Sequence, residues 1–377
     1  MRTCDAAIVG LGVSGAAITR ELARRGWRVT AFDRHAPPHS LGSSHGHSRI
    51  IRAAYFEDPL YVPLVLRAFE LWTQLEALSG TALFKSTGVL NIGPPDCELL
   101  RGTLASVQTH GLPHEYLDAA ALRACFPAFT PPQECVALLE RRGGMLAAES
   151  CVSALLQDAE RHGAEIHCHE TVHEWTAGTD GVRVRTTGGT THCGSLVIAA
   201  GPWLPELLGA EWTGPRLEVE RQVIALFSPR DAHAHTSADE CPIALWEYEP
   251  GRWFYTLPDA GQGVKAAFHH EGGITDPHSV ERSVSDDEVA TIRAHLASFL
   301  PAAAGELRET SVCLYTNSPD GHFLIDAHPQ AAHTFIVSAC SGHGFKFAPA
   351  IAESFADWLE TGRRPAGLEP FSSARFR

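Results

Sequence analysis

Apolar positions along this chain follow two rhythms, and the rhythm changes from segment to segment. Residues 6–9 are an uninterrupted apolar run and predict a short buried strand. Residues 16–25 have helical composition, with Gly26 as a C-terminal stop, and residues 28–32 give a second strand that ends at Asp33. In residues 61–78, Leu64, Ala68, Leu71, Leu75 and Leu78 recur at three- and four-residue steps, so they share one face of a packing helix. Residues 79–142 break into short strands and turns, including 88–93 and the Pro-rich stretch 126–132. A strand–helix alternation then returns, with a helix over 150–162, strands near 163–167 and 182–186, and the apolar strand 196–201.

Residues 216–307 read differently, as antiparallel sheet, with strands at 219–227, 243–248, 253–257 and 263–269. The end of the chain predicts a strand at 334–338 and a helix over 350–359. Taken together the pattern is α/β with an α+β second domain. A Rossmann-like domain of residues 1–78, 143–215 and 308–377 is interleaved with an antiparallel-sheet domain of residues 79–142 and 216–307. There is no low-complexity segment and no internal repeat.

Composition narrows the function classes. Thirty basic against forty-four acidic residues leave a formal charge of −14, which disfavours a nucleic-acid or anionic-membrane binder. No apolar run approaches the ~20 residues of a membrane span, and the start MRTCDAAIVG lacks signal-peptide features, so a cytoplasmic protein is expected. The ten cysteines are scattered without a C-x-x-C pair, which suggests neither a zinc site nor a disulfide framework. Histidine is plentiful at twenty-one, yet no H-E-x-x-H occurs, and no metal is expected.

Candidate chemistry begins at Gly10-Leu11-Gly12-Val13-Ser14-Gly15, a G-x-G-x-x-G loop between strand and helix, with Asp33 closing the next strand twenty-three residues after Gly10. Glycines allow the tight turn and close pyrophosphate approach, the helix N-terminus favours phosphate charge, and the acid accepts ribose hydroxyls. Arg49 and Arg52, beside His45 and His47, form either an anion clamp or a solvated basic turn. Ala199-Ala200-Gly201 ends an apolar strand where a ligand would cross the sheet edge. Lys265, set in an apolar strand, needs a partner, water, a ligand anion or a route to solvent. The loop Ser341-Gly342-His343-Gly344 leads to Lys346, which would place a fixed charge beside a flat ligand.

Five motifs in order, GLGVSG at 10–15, GSSHGHSRIIRAAY at 42–55, GVKAAFHH at 263–270, CLYTNSPDGHFLID at 313–326 and SGHGFKF at 341–347, resemble the monomeric sarcosine oxidase and N-methyltryptophan oxidase family. The resemblance covers nearly the whole chain. It implies FAD, bound covalently through its 8α-methyl group to the sulfur of Cys313. It also implies cofactor contacts from Gly10, Gly12, Val13, Ser14, Gly15, Asp33, Arg34, Ser43, Arg49, Val172, Ala200, Gly201, Trp203, Gly342, Gly344, Phe345 and Lys346. By the same resemblance Arg52 and Lys346 hold the substrate carboxylate, and Arg49 and His45 pack near the other side of the flavin. Tyr255, His269 and Tyr315 line the substrate cavity, and Lys265 meets oxygen near N5. The helix after Lys346 would point its N-terminus at the flavin N1–C2=O edge.

Two positions depart from the family pattern. Asp33 stands where Glu is usual, and Cys340 where a larger apolar residue is common. The strand carrying Trp246, Glu247 and Tyr248 is expected to face the cavity. The function implied is oxidation of a small secondary amino acid, sarcosine or another N-substituted glycine, to an aldehyde or oxo acid, amine and H₂O₂. Partners are then that substrate and O₂, and a monomer is expected. N-methyltryptophan, pipecolate and iminodiacetate remain alternative substrates, as does a flavin dehydrogenase with another acceptor. A flavin-binding structural protein would need a decayed site, and a tRNA-modifying enzyme conflicts with the acidic charge.

Overall fold

The computed structural model describes every residue except Met1, Ala210 and Ala232. Its first sheet is built on the opening strand, Arg2–Val9, which runs parallel between Val29–Phe32 and Gly189–Ile198. Glu165–His167 extends one side, and Thr334–Ser338 adds in parallel to the other strand end at Leu196 to Ile198. Helices Val13–Arg24, Ala148–Arg161 and Ala348–Thr361 pack together over one face through Ala6, Ile8, Ile18, Leu155 and Phe355. The other face is closed by a second apolar cluster that includes Ala7, Val9, Phe32, Val182, Leu196 and Leu204. Burial on both faces is why residues 6–9 are continuously apolar rather than alternating.

The second sheet runs in the order Leu307–Asn317, Glu218–Phe227, Val264–His269, Arg252–Leu257, Ile243–Glu249, Val89–Gly93, Val136–Glu140, Glu115–Asp118. Its pairings are antiparallel except that between Val89–Gly93 and Ile243–Glu249, which is parallel and joins the two inserted segments. Strand Leu307–Asn317 is bonded from end to end with Glu218–Phe227, so the domain boundary expected at 307/308 falls after Asn317 instead. Cys313 therefore stands on the roof sheet and not on the dinucleotide-binding layer. A small sheet of Ser48–Ile51, Gly144–Ala147 and Phe84–Ser86 bridges the two.

Three helices inside the inserted segments were not expected. Glu98–His110, Ala119–Cys125 and Asp286–Phe299 cover parts of the second sheet. The last carries a full capping box, Ser285 with Glu288, a signal that was present in the sequence. Its arrival also decides which way the neighbouring strand faces. Trp246 stacks on Phe299 at 4.3 Å and Tyr248 packs against His295, so both point away from the cavity toward this helix. By strand alternation, Leu245 and Glu247 take the cavity side. Glu247 spends its carboxylate on the helix start, accepting from Leu99 N at 2.7 Å. The expectation that Trp246 and Tyr248 shape the cavity is thus corrected.

Candidate active site

Between the two sheets lies one long cleft, about 1880 Å³ of empty space counting the part open to solvent. At one end it is lined by Gly10, Gly12, Val13, Ser14, Asp33, Arg34, Val172, Ala200, Gly201 and Trp203. Gly10 has φ +91°, and a Cβ there would stand 2.6 Å from the Ala199 carbonyl oxygen, so glycine is required for the turn. The helix Val13–Arg24 starts immediately after Gly12, so its first turn lines the cleft with N–H groups that have no partner within the helix. Asp33, buried, accepts from Leu11 N and from His35 N, each at 2.8 Å, which ties the acid to the glycine loop. Ser44 Oγ accepts from Val13 N at 3.1 Å and joins the second polar loop to the first. Arg34 lies 5.3 Å over the Trp203 ring at the rim. Donors for phosphate, an acid for ribose and a long slot beyond them fit a flavin dinucleotide.

The far end of the cleft is lined by cations and aromatic rings. Arg52 is buried, stacked 4.3 Å from the Tyr55 ring and 4.9 Å from the Phe56 ring. One of its terminal nitrogens donates to both Glu57 oxygens at 2.9 and 2.8 Å, which leaves other guanidinium donors for a second anion. Burial alone would raise the Glu57 carboxyl, but Arg52, His343 and Lys346 hold it below the ordinary range. Lys346 Nζ donates to His343 O at 2.8 Å and Tyr55 Oη at 3.3 Å. Burial and then the Arg52 charge bring it down to about 7. Two cations held together at the cost of a lowered lysine pKa are a site prepared for an anion.

Opposite them, Lys265 is buried and donates to Gly46 O at 3.0 Å and Ser48 O at 2.7 Å. Burial, then Arg49, pushes it well below the ordinary lysine value. Arg49 donates to Ser43 O at 2.8 Å and lies 3.5 Å from Cys313 Sγ, so the buried thiol sits beside a fixed positive charge. His269 Nδ1 lies 3.4 Å from Tyr315 Oη. Burial drives His269 well below its usual value, and His270, His343 and Arg52 add to the effect, so the imidazole is neutral. Burial likewise raises Tyr255 to about 12 and Tyr315 further, which keeps both phenols protonated as donors. Gly342, at φ +75°, lets this wall close, since a Cβ there would meet the Tyr315 ring at 2.7 Å.

Most residues singled out in the sequence line this one cleft, including Ser43, Arg49, Arg52, Tyr255, Lys265, His269, Cys313, Tyr315, Gly342, Gly344, Phe345 and Lys346. Two do not. His45 is buried behind the lining, its Nε2 lying 3.2 Å from Gly42 O, and burial followed by the Arg49 charge brings it down to about 4. It therefore ties the polar loop together beside Arg49. Gly15 lies behind the cleft, where a Cβ would meet Gly10 O at 1.8 Å, so it serves helix–strand packing. Sequence reasoning missed Glu57, the Arg52 partner. It also missed Phe56, Leu245, Trp253 and Leu257, which wall the substrate end. Glu149, which accepts from Gly46 N at 2.7 Å and orders the loop under Lys265, was missed as well.

Residues 5–358 match the family described as FAD dependent oxidoreductase. The chain belongs to that family. Among its flavoenzyme relatives, the monomeric sarcosine oxidase of Streptomyces avermitilis is 40% identical over 373 residues, covering 97% of this chain and 96% of that protein. The N-methyl-L-tryptophan oxidase of Yersinia pestis is 34% identical, with 99% of each chain covered. Among solved structures, NikD, described as an unusual amino acid oxidase essential for nikkomycin biosynthesis, superposes with a TM-score of 0.86 at 25% identity, covering 99% of this flavoprotein and 98% of that chain. The cleft described above thus coincides in kind with the family's FAD requirement.

Proposed function

We propose that the protein is a flavin-dependent oxidase of a small secondary amino acid, with sarcosine or another N-substituted glycine as substrate and O₂ as acceptor. The observation that carries this is the meeting of Arg52 and Lys346 at the same end of the cleft as Lys265 and Cys313. FAD, when bound, supplies the two-electron acceptor at that end. Gly10, Gly12, Asp33 and Ser43 would hold its dinucleotide part, and Cys313, flanked by Arg49, would carry it as a thioether. Arg52 and Lys346 bind the substrate carboxylate and so fix where its C–H bond lies. Neutral His269 and the phenols of Tyr255 and Tyr315 orient the amine without adding charge. Phe56, Leu245, Trp253 and Leu257 exclude water around the N-substituent. The substrate leaves as an imine, which water converts to aldehyde or oxo acid and amine, while O₂ takes the electron pair and two protons to become H₂O₂.

The apolar wall also bears on substrate choice. Among the described residues lining the cleft, the cations are Arg34 at the Trp203 rim, Arg49, Arg52, Lys265 and Lys346. Lys265 is the register partner of Leu257, but its donors are already taken by Gly46 O and Ser48 O, so a methyl or apolar N-substituent is favoured over iminodiacetate. Two tests follow from these roles. Acid-denatured protein should retain its yellow colour in the pellet, and Cys313→Ser should release it to the supernatant. Colour released from the unsubstituted protein would overturn the thioether. Anaerobic addition of sarcosine, N-methyltryptophan and pipecolate should bleach the flavin with at least one of them, and failure with all would overturn the function.

The clamp also carries a pH dependence. Lys346 is protonated below about 7 and loses its charge above it, so KM for the carboxylate substrate should rise as pH increases through 7. One charge-assisted contact of about 2 kcal/mol corresponds to a rise of about thirty-fold. In Lys346→Met the KM should be high at every pH and flat through this range. A KM that still turns at the same pH in the variant would assign the titration to another group.

A further inference from the structure

Away from the cleft, the parallel strands Arg2–Val9 and Gly189–Ile198 set two cysteines side by side. Cys4 and Cys193 are direct register partners. Both side chains lie on the same face, in one apolar cluster with Ala7, Val9 and Val182. Neighbouring strands are about 4.8 Å apart, which falls within the Cα separation a disulfide spans. Cys193 Sγ donates to Val182 O at 3.4 Å, and Cys193 and Thr30 are the polar groups beside the Cys4 thiol. The neighbouring Cys193 thiol, against the cost of burial, brings Cys4 down to about 7, and Cys193 moves up in turn. Cys193 is fully enclosed, but Cys4 borders a second, smaller cleft with Thr3, Thr30, His162 and Glu165 at the opposite end of the strands from Gly10.

We propose that Cys4 and Cys193 form a peroxide-reactive dithiol, in which Cys4 is attacked first and Cys193 resolves it to a disulfide. The proposal rests on the oxidase reading only for the source of the oxidant, H₂O₂. The Cys4 thiolate sulfur attacks one peroxide oxygen, the O–O bond breaks, and the departing hydroxide takes a proton to become water. Cys193 sulfur then attacks the Cys4 sulfenic acid, an S–S bond forms, and a second water leaves with the Cys193 proton. Two electrons pass from the thiol pair to the peroxide, so no further reactant is needed. The bond would join the strand that feeds the Gly10 loop to the strand that ends before Ala200 and Gly201. A link between adjacent strands is constrained in geometry, and constrained disulfides are the readily reduced ones.

The holoenzyme, reduced and then exposed to added H₂O₂, should be quenched in acid, unfolded and alkylated before peptide mapping. The expected result is loss of both free thiols at 4 and 193 and a linked peptide pair that dithiothreitol separates. Cys125 and Cys168 are exposed and serve as internal references. Full alkylation of Cys4 and Cys193 at a peroxide dose that oxidises those two would overturn the proposal. In Cys193→Ser, Cys4 should accumulate as a sulfenic acid trapped by dimedone, and its absence there would also count against the pair. Because peroxide is added, this outcome is independent of turnover. The same link formed with sarcosine and abolished by catalase would join the pair to the enzyme's own product. A link with added peroxide but none during turnover would uphold the pair and count against the oxidase reading instead.

Discussion

Replacing Lys265 by methionine is expected to slow reoxidation of the reduced enzyme by O₂ by about 10²–10³-fold, the usual cost of removing one preorganised charge-stabilising donor. Anaerobic reduction by substrate should change little, because the Lys265 amine is held by the Gly46 and Ser48 carbonyls and is not part of the Arg52–Lys346 pair. The physical ground is the balance of charge around Nζ. Burial and Arg49 together push its pKa well below the ordinary lysine value, so negative charge developing on O₂ nearby favours the protonated form. The lysine can thus hold a proton when O₂ is being reduced and lend it to the product. Stopped-flow measurement of the two half-reactions separates the effects. Reoxidation within a few-fold of the parent rate would remove Lys265 from this role.

Arg52→Met should lower kcat/KM for the amino-acid substrate by about 10³-fold, roughly 4 kcal/mol, as expected when one partner of a buried charge pair is truncated. Most of the loss should appear in KM, with a further loss in kcat because the carboxylate anchor also places the reacting C–H bond. Two structural facts sharpen this expectation. Arg52 is clamped between the Tyr55 and Phe56 rings, so its guanidinium is already oriented. Glu57 shares its positive charge, so the variant also leaves a buried carboxylate beside Lys346 alone. Pairing Arg52→Met with Glu57→Gln separates the contributions, since the double variant should regain stability but not KM. An unchanged KM in Arg52→Met would dismiss the clamp.

Much of the cofactor end was legible because its signals are local. A glycine loop, the strand before it and the acid after it lie within thirty-three residues, and each follows from backbone sterics or helix-terminus charge. The strand Thr334–Ser338 fell where the apolar run placed it. The substrate end was legible only in part. Lys265 was conspicuous as a lysine in an apolar strand, but its partners are carbonyls of residues 46 and 48, more than two hundred positions away. Glu57 gave no signal, since five residues after Arg52 it could equally have been a solvated turn acid. Trp246 was misread because alternation defines two faces without saying which one a distant helix will cover.

Sequence alone therefore determined the element types of the parallel-sheet layer, the dinucleotide loop and Lys265 as a chemically costly residue, because period, glycine requirement and a charge in an apolar run are written into neighbouring positions. Only the tertiary structure decided which of them meet. Packing of helix Asp286–Phe299 turned Trp246 out of the cavity and left Leu245, Trp253 and Leu257 as its wall. Pairing of Leu307–Asn317 with Glu218–Phe227 moved Cys313 onto the roof, facing Arg49. Parallel register brought Cys4 against Cys193. These are long-range contacts, chosen by the sum of burial and hydrogen bonding over the whole chain, and no local pattern encodes them.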